Sequence, residues 1–199
     1  MDHIHQYMLE GYSLRKCADL LGVKHVTLFY WRHKILSALE KMPIESFEGI
    51  VEMDETYMLY SRKVVQDRQK NTFTLALCRG RIKTPLLEQA VGDKISASNT
   101  LCTDGWRAFS TFAKKYGTEH YRFASTCKRR VIKEIYHIQN VNSFHGRFKK
   151  WLDHFNGVAS KYLNHYSSWF RYLDANGADV TTSNMLVGHC LLVGVNRDV

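Results

Sequence analysis

Two aspartates and one polar helix face are the residues of this chain whose types and spacing could do chemistry. Asp54 sits in GIVEMDETYM, part of a run that reads as a strand over Gly49–Leu59. On that strand Glu52, Asp54 and Thr56 share one face, and Met53 and Glu55 the other. An acid in the middle of an apolar strand is costly unless it is solvated, paired or bound to metal. Asp104 closes a second apolar run, in NTLCTDGW, where Gly105 turns the chain. The carboxyl ends of strands are where α/β proteins place their sites. Two aspartates on adjacent strands could chelate Mg²⁺, a hard cation that takes oxygen ligands. Either aspartate alone reads as a structural acid, and Asp-Gly is also an ordinary turn signal. Asn142, His145 and Lys149 fall at i, i+3 and i+7 of a predicted helix and line one face beside Phe144, Phe148 and Leu152. The alternative for that face is a polar flank carrying a lone histidine.

These groups need strands and helices to hold them, and the patterning supplies both. Further strands are expected over Asn71–Leu77, Thr100–Thr103 and His120–Ala124. Helices are expected over Thr84–Ile95, with Pro85 in the first turn, and over Trp106–Tyr116. Two strongly amphipathic helices follow, Val141–Phe155 and Ser160–Leu173. From Ala178 onward the pattern fits strand or helix equally. The first forty residues read as helical, and Met42-Pro43 ends that block because proline and the residue before it disfavour helix continuation. This places a helical region at 1–42, an α/β domain at 43–180 and a tail at 181–199.

Within the first region, SLRKCADLLGVKHVTLFYWRHKIL has helix-turn-helix spacing. Ser13 can cap a helix bearing Leu14, Ala18 and Leu21, and Gly22 suits the tight turn after it. Val23, Leu28 and Trp31 would supply the apolar side of the next helix. Lys24, His25, Thr27, Tyr30 and His33 would then face outward, able to reach phosphates or base edges. The competing reading is a plain helical hairpin with a solvated basic face.

Composition bounds the classes. The chain has 199 residues, 45% hydrophobic and 24% charged, which is ordinary for a globular protein. No apolar run reaches the length of a membrane span, and the N-terminus lacks the pattern of a signal peptide. A net charge of +9 and a pI of about 9.3 make a polyanion, nucleic acid above all, the leading partner. The five cysteines form no C-x-x-C pair, which excludes a zinc ribbon or disulfide framework and leaves reduced thiols.

In order, the helix-turn-helix ending in YWRHKIL, then VEMDETY, LCTDGWRAF and YHIQNVNSFHGRFKKWLDHFNGVASKYLNHYSSWFRYL, resembles the insertion-sequence transposases with an ISXO-two-like domain, relatives of the eukaryotic Merlin elements. The resemblance spans most of residues 5–175. It implies a mixed-sheet, RNase H-like core of the DDE type behind a helix-turn-helix. It assigns the first two acids to Asp54 and Asp104, the third metal-proximal position to Asn142 in place of the usual glutamate, and a basic partner to Lys149. It implies Mg²⁺ or Mn²⁺, with two ions bridged by the aspartates about 3.5–4 Å apart. Lys149, Lys161 and His145 would grip phosphates, and Glu52, on the Asp54 face, could offset the missing carboxylate. The implied activity is cleavage of transposon ends and transfer of the 3′-hydroxyl to target DNA. The implied partner is double-stranded DNA, and the implied assembly is a homo-oligomer formed on it, in a prokaryotic cytoplasm near the nucleoid. Relatives carry a zinc ribbon before the helix-turn-helix, whereas here the chain enters the helices almost at Met1. They also have a longer loop and a full second strand after the first acid. Here SRKVVQDRQKNTFTL passes straight through, with Val64-Val65 the remnant of that strand, so a mispaired first strand and an exposed sheet edge are expected. The alternative function is a decayed, inactive remnant that only binds DNA.

Overall fold

A carboxylate can be held at a strand end only if the strand itself is pinned on both sides, so the sheet is the part of the fold that matters most. The computed structural model describes residues 2–41, 46–55, 65–67, 72–73, 81–123, 131–155 and 157–177. The chain divides into two compact units, Ile44–Lys149, and Met1–Pro43 together with Lys150–Val199. Residues from Lys150 onward thus group with the N-terminal helices, where the sequence reading kept 43–180 together.

In chain order the elements are α1 (Asp2–Leu9), α2 (Leu14–Leu21), α3 (His25–Glu40), β1 (Ile50–Met53), β2 (Val65–Asp67), β3 (Thr72–Phe73), α4 (Thr84–Val91), β4 (Thr100–Thr103), α5 (Arg107–Tyr116), β5 (Glu119–Arg122), α6 (Gln139–Asp153) and α7 (Leu163–Asn176). A 3₁₀ turn extends α4 over Gly92–Lys94, and another leads into α7 over Ser160–Tyr162. This is an α/β protein, as expected. Among the described residues five strands form one sheet in the order β3-β2-β1-β4-β5. β1, β4 and β5 run parallel, and β2 and β3 are antiparallel additions. The expected mispairing of the first strand does not occur: Val51, Glu52 and Met53 face Asp67, Gln66 and Val65 on one side and Leu101, Cys102 and Thr103 on the other. β1 ends at Met53, so the described residues Asp54 and Glu55 lie beyond it, where the reading ran the strand through them. Residues 56–59, 71, 74–77 and 124 of the expected strands, and the ambiguous segment from 178, lie outside the described residues.

The sheet unit is held by apolar side chains on one face of β1 and β4. Val51, Met53 and Leu101 pack with Leu87 and Val91 of α4 and with Phe109, Phe112 and Ala113 of α5. Each such buried side chain contributes about 1.5–3 kcal/mol relative to exposure. Asn99 fixes how the chain enters this core. It is buried, its Nδ2 donates to Phe47 O at 2.9 Å, and its Oδ1 accepts from Ser96 N at 2.8 Å. Next to it Thr100 N donates to Gly49 O at 3.0 Å, so the starts of β1 and β4 are set level.

In the helical unit, Ser13 caps α2 by accepting from Lys16 N at 3.3 Å, and Gly22 takes φ 63° at its end, both as the spacing predicts. Leu28, Ile35, Leu36 and Leu39 of α3 close over Ile4, Met8, Cys17 and Ala18 and over Tyr166 and Trp169 of α7. Trp31 departs from the reading. It is exposed, because α3 turns residues 28, 32, 35, 36 and 39 inward and leaves 30, 31 and 34 outside. No helix among the described residues is long and apolar enough to cross a membrane.

Replacing Asn99 by alanine strands the Phe47 carbonyl and the Ser96 amide, so chemical denaturation should show a loss of about 1–3 kcal/mol. Wild-type stability in that variant would mean that the level start of β1 and β4 does not depend on Asn99.

Candidate active site

The register of the two central strands decides where the acids emerge. Met53 pairs with Thr103 across parallel β1 and β4, so Asp54 and Asp104 each leave the sheet one residue past the same rung. Adjacent strands lie about 4.8 Å apart, which brings the two carboxylates into mutual repulsion. The Asp54 carboxyl is pushed up to about 7, first by burial and then by the Asp104 charge. A hydrogen bond from Glu55 N to Asp54 Oδ1 at 2.9 Å and the charge of Lys149 oppose that shift without cancelling it.

Asp104 is fixed by the turn that follows it. Trp106 N donates to Asp104 Oδ1 at 2.9 Å, and Gly105 supplies the φ of 88° the turn requires. The Trp106 indole donates to Ile82 O at 3.0 Å, and Arg81 stacks over its ring at 4.1 Å. Arg122 Nη2 donates to Gly105 O at 2.9 Å. Glu55, also buried, accepts from Ile82 N at 3.0 Å, so one short segment braces both acid-bearing turns. The sequence reading did not find Arg81, Trp106 or Arg122 as braces, because nothing in their spacing marks them.

α6 is placed by Glu52. This glutamate was a candidate to replace a missing carboxylate near Asp54, and the structure corrects that. Glu52 is buried, its Oε1 accepts from Asn140 Nδ2 at 2.6 Å, and its Oε2 accepts from Val141 N at 3.1 Å. His137 Nδ1 lies 3.2 Å from Oε1. The carboxylate therefore sits on the first turn of α6, where a negative charge meets unpaired N–H groups and the positive end of the helix dipole. Its oxygens are committed to holding the helix.

From that anchor α6 carries its polar face to the acids. His145 Nδ1 is 3.6 Å from Asp54 Oδ2, and Lys149 acts on Asp54 through its charge. His145 was expected to grip DNA phosphates from an open face. It is buried instead, because the turn of α6 that carries Phe144 and Phe148 inward takes His145 with it. Burial, helped by the charge of Lys149, lowers the imidazole to about 3, and its Nε2 has no hydrogen-bond partner. Asn142, one turn earlier, is exposed. The structure thus brings Asp54, Asp104, His145 and Lys149 together and leaves Asn142 at the rim of the same helix face.

No three of the side chains His, Cys, Asp and Glu gather into a metal-binding group among the described residues. The donor set still suits one ligand class. Two carboxylates, one of them destabilised as an anion by burial and by its neighbour, are what a divalent cation would relieve, and Mg²⁺ is often held by one or two carboxylates plus water and phosphate oxygens. Asn142 could add only a neutral carbonyl oxygen.

In the helical unit Lys24, His25 and Tyr30 are exposed on α3, and Thr27 is half-buried. His33 was expected beside them and is buried, packed on Phe29 and Tyr162, with its Nδ1 2.8 Å from His165 Nδ1. Lys161 is exposed, its Nζ 4.8 Å from the Tyr162 ring.

Residues 81–173 match the model of the ISXO2-like transposase domain. This match supports a transposase domain of the insertion-sequence type over those residues. The chain carries that domain over the matched residues, with Asp104, Asn142 and Lys149 inside the match and Asp54 ahead of it. No curated protein matches the chain.

The folded chain holds a proton on Asp54 that the unfolded chain, with the ordinary carboxyl value of 3.8, releases. Asp54 therefore lowers stability as pH rises through the window from 3.8 to about 7. Without divalent metal, Asp54→Asn should raise the melting temperature by several degrees at about pH 8, and the gain should vanish near pH 4. A variant melting below wild type at the higher pH would show that the carboxylate is not under repulsion.

Proposed function

We propose that the chain is a DNA transposase that binds the ends of its element, cleaves them by metal-dependent hydrolysis and transfers the exposed 3′-hydroxyl to target DNA. The observation that carries this reading is the emergence of Asp54 and Asp104 one residue past the same rung of adjacent parallel strands. The strand order, with two antiparallel strands beside three parallel ones, supports an RNase H-like core. The capped α2, the Gly22 turn and the exposed Lys24, His25 and Tyr30 support a helix-turn-helix that contacts duplex DNA. The charge of +9 supports a polyanionic partner and a strongly salt-dependent affinity.

In this reading Asp54, Asp104 and the Asn142 carbonyl would hold Mg²⁺ or Mn²⁺, two ions in all, whose charge would activate the attacking oxygen and stabilise the leaving one. The chain's own residues do the rest. Lys149 offers a mobile cation to the phosphate next to the scissile bond. Glu52 keeps α6 in place, so that Lys149 stays over the acids. His145 stays neutral at the pH of the cell and fills the wall beside Asp54 without adding a positive charge that would compete with a cation. Two DNA ends must be joined, so the working form is an oligomer assembled on DNA.

The test is Asp104→Asn in the full chain, assayed on DNA bearing the element's ends with Mg²⁺ or Mn²⁺. Nicking and strand transfer should fall by about a thousandfold or more while DNA affinity stays within about twofold. Cleavage that survives the substitution would overturn the assignment. Binding without any cleavage by the unaltered chain would establish the DNA-binding remnant instead.

A further inference from the structure

The edge of the sheet that carries Asp104 is flanked by cations without an anion. Arg81 and Lys83 precede α4, Arg107 opens α5 and Arg122 ends β5, and all four are exposed. Thr84 Oγ1 donates to Ala108 O at 3.3 Å, so the starts of α4 and α5 meet. Phe123 N donates to Thr103 O at 2.8 Å, which keeps the end of β5 beside the strand that leads to Asp104. Other cations of the same unit find a carboxylate: Lys94 pairs with Asp93 at 2.8 Å, Lys115 with Glu88 at 2.6 Å and Lys133 with Glu119 at 3.8 Å. Among the described residues none of the four at this edge does so, although Asp104 belongs to the same turn. Residues 74–80 and 124–130, which flank Arg81 and Arg122 in sequence, contain no Asp or Glu.

Two of these cations are held in place. Arg81 lies over the Trp106 ring at 4.1 Å, and Trp106 is itself fixed by its indole on Ile82 O and its amide on Asp104 Oδ1. A guanidinium stacked by its flat face keeps its N–H groups in its own plane, free for an acceptor, and Arg81 makes no hydrogen bond among the described residues. Arg122 uses Nη2 on Gly105 O at 2.9 Å and leaves Nε and Nη1. The two guanidinium groups therefore touch consecutive residues, Gly105 and Trp106, of the turn that fixes Asp104. Side chains already held this way lose less freedom on meeting an anion than loose ones do, and their rigid forks match phosphate oxygens. Arg81 covers one face of the Trp106 ring and the residue packs on the core of the unit, so this edge offers charge and not a platform for stacking bases.

We propose that Arg81 and Arg122 form a phosphate clamp that seats the backbone of a DNA strand along the Asp104 turn without reading its sequence, with Lys83 and Arg107 widening the positive edge. The identity of the polyanion as DNA rests on the function proposed above. The unpaired charge does not.

The experiment follows binding of the full chain to two short fluorescein-labelled duplexes of unrelated sequence by fluorescence anisotropy, over a salt series and without divalent metal. Arg81→Gln and Arg122→Gln should each weaken both duplexes about fivefold or more at low salt. Each should also reduce the slope of log affinity against log salt by about 0.9, and the double variant by about 1.8. Lys115→Gln removes the same charge from a cation that Glu88 already holds and should leave the slope unchanged. Circular dichroism and melting temperature check that each variant is folded. A double variant with the wild-type slope, a loss confined to one duplex, or a loss of affinity with no change of slope would overturn the clamp and leave DNA binding through other residues standing. A wild-type chain that binds neither duplex would overturn the clamp and the DNA reading together. Cleavage plays no part in the readout, so an inactive chain that binds DNA still shows the clamp.

Discussion

Two carboxylates that would repel each other in an empty site set the terms for the sheet unit. Asp54 and Asp104 are level because Met53 pairs with Thr103, and that register is set further back, where Asn99 ties Phe47 to Ser96 and Thr100 meets Gly49. Sheet register cannot slip by one residue without sending Glu52 into the apolar face and Val51 and Met53 out of it. The same pattern that buries the core therefore aligns the acids. Burial, and after it the Asp104 charge, leaves a raised Asp54 carboxyl, a local cost that the packing of the rest of the unit sustains.

The second constraint is Glu52. A buried glutamate on a central strand would be untenable alone, yet here it meets the Val141 amide, the Asn140 side chain and His137. It converts the first turn of α6 into its counter-charge. Asp54 and Glu52, two residues apart, thus do different work. Glu52 is satisfied by protein groups and fixes a helix, and Asp54, held on one oxygen by the Glu55 amide, keeps a raised carboxyl and faces the helix that Glu52 fixes.

Much of this was legible in the sequence, for identifiable reasons. The Ser13 cap and the Gly22 turn follow from local backbone chemistry, so spacing alone finds them. Asp104 is marked by the Gly that follows it, and the family resemblance picked out Asp54, Asp104 and Lys149 together. What spacing could not supply is the direction of side chains at boundary positions of a helix. His33 and His145 each lie where a small rotation of the helix separates the polar face from the core, and both turn inward, His33 toward Tyr162 and His145 toward Asp54, each far along the chain. The roles of Glu52, Asn99 and Arg81 depend on Val141, Phe47 and Trp106, which lie 89, 52 and 25 residues away, and no local pattern encodes them. The first strand was read as poorly paired from the shortness of the following loop. Three residues of β2 nevertheless suffice to cover it, because Val65–Asp67 need only match Val51–Met53.

The measurement that bears most directly on this account is the titration of the Asp54 carboxyl, followed by carbon-13 NMR in the full chain. The account predicts a midpoint at about 7 in the absence of metal, a lower midpoint in Asp104→Asn, and a lower midpoint again when Mg²⁺ is added to the wild type. A midpoint at the ordinary carboxylate value near 3.8, indifferent to Asp104 and to Mg²⁺, would contradict it, because the two acids would then not share a site.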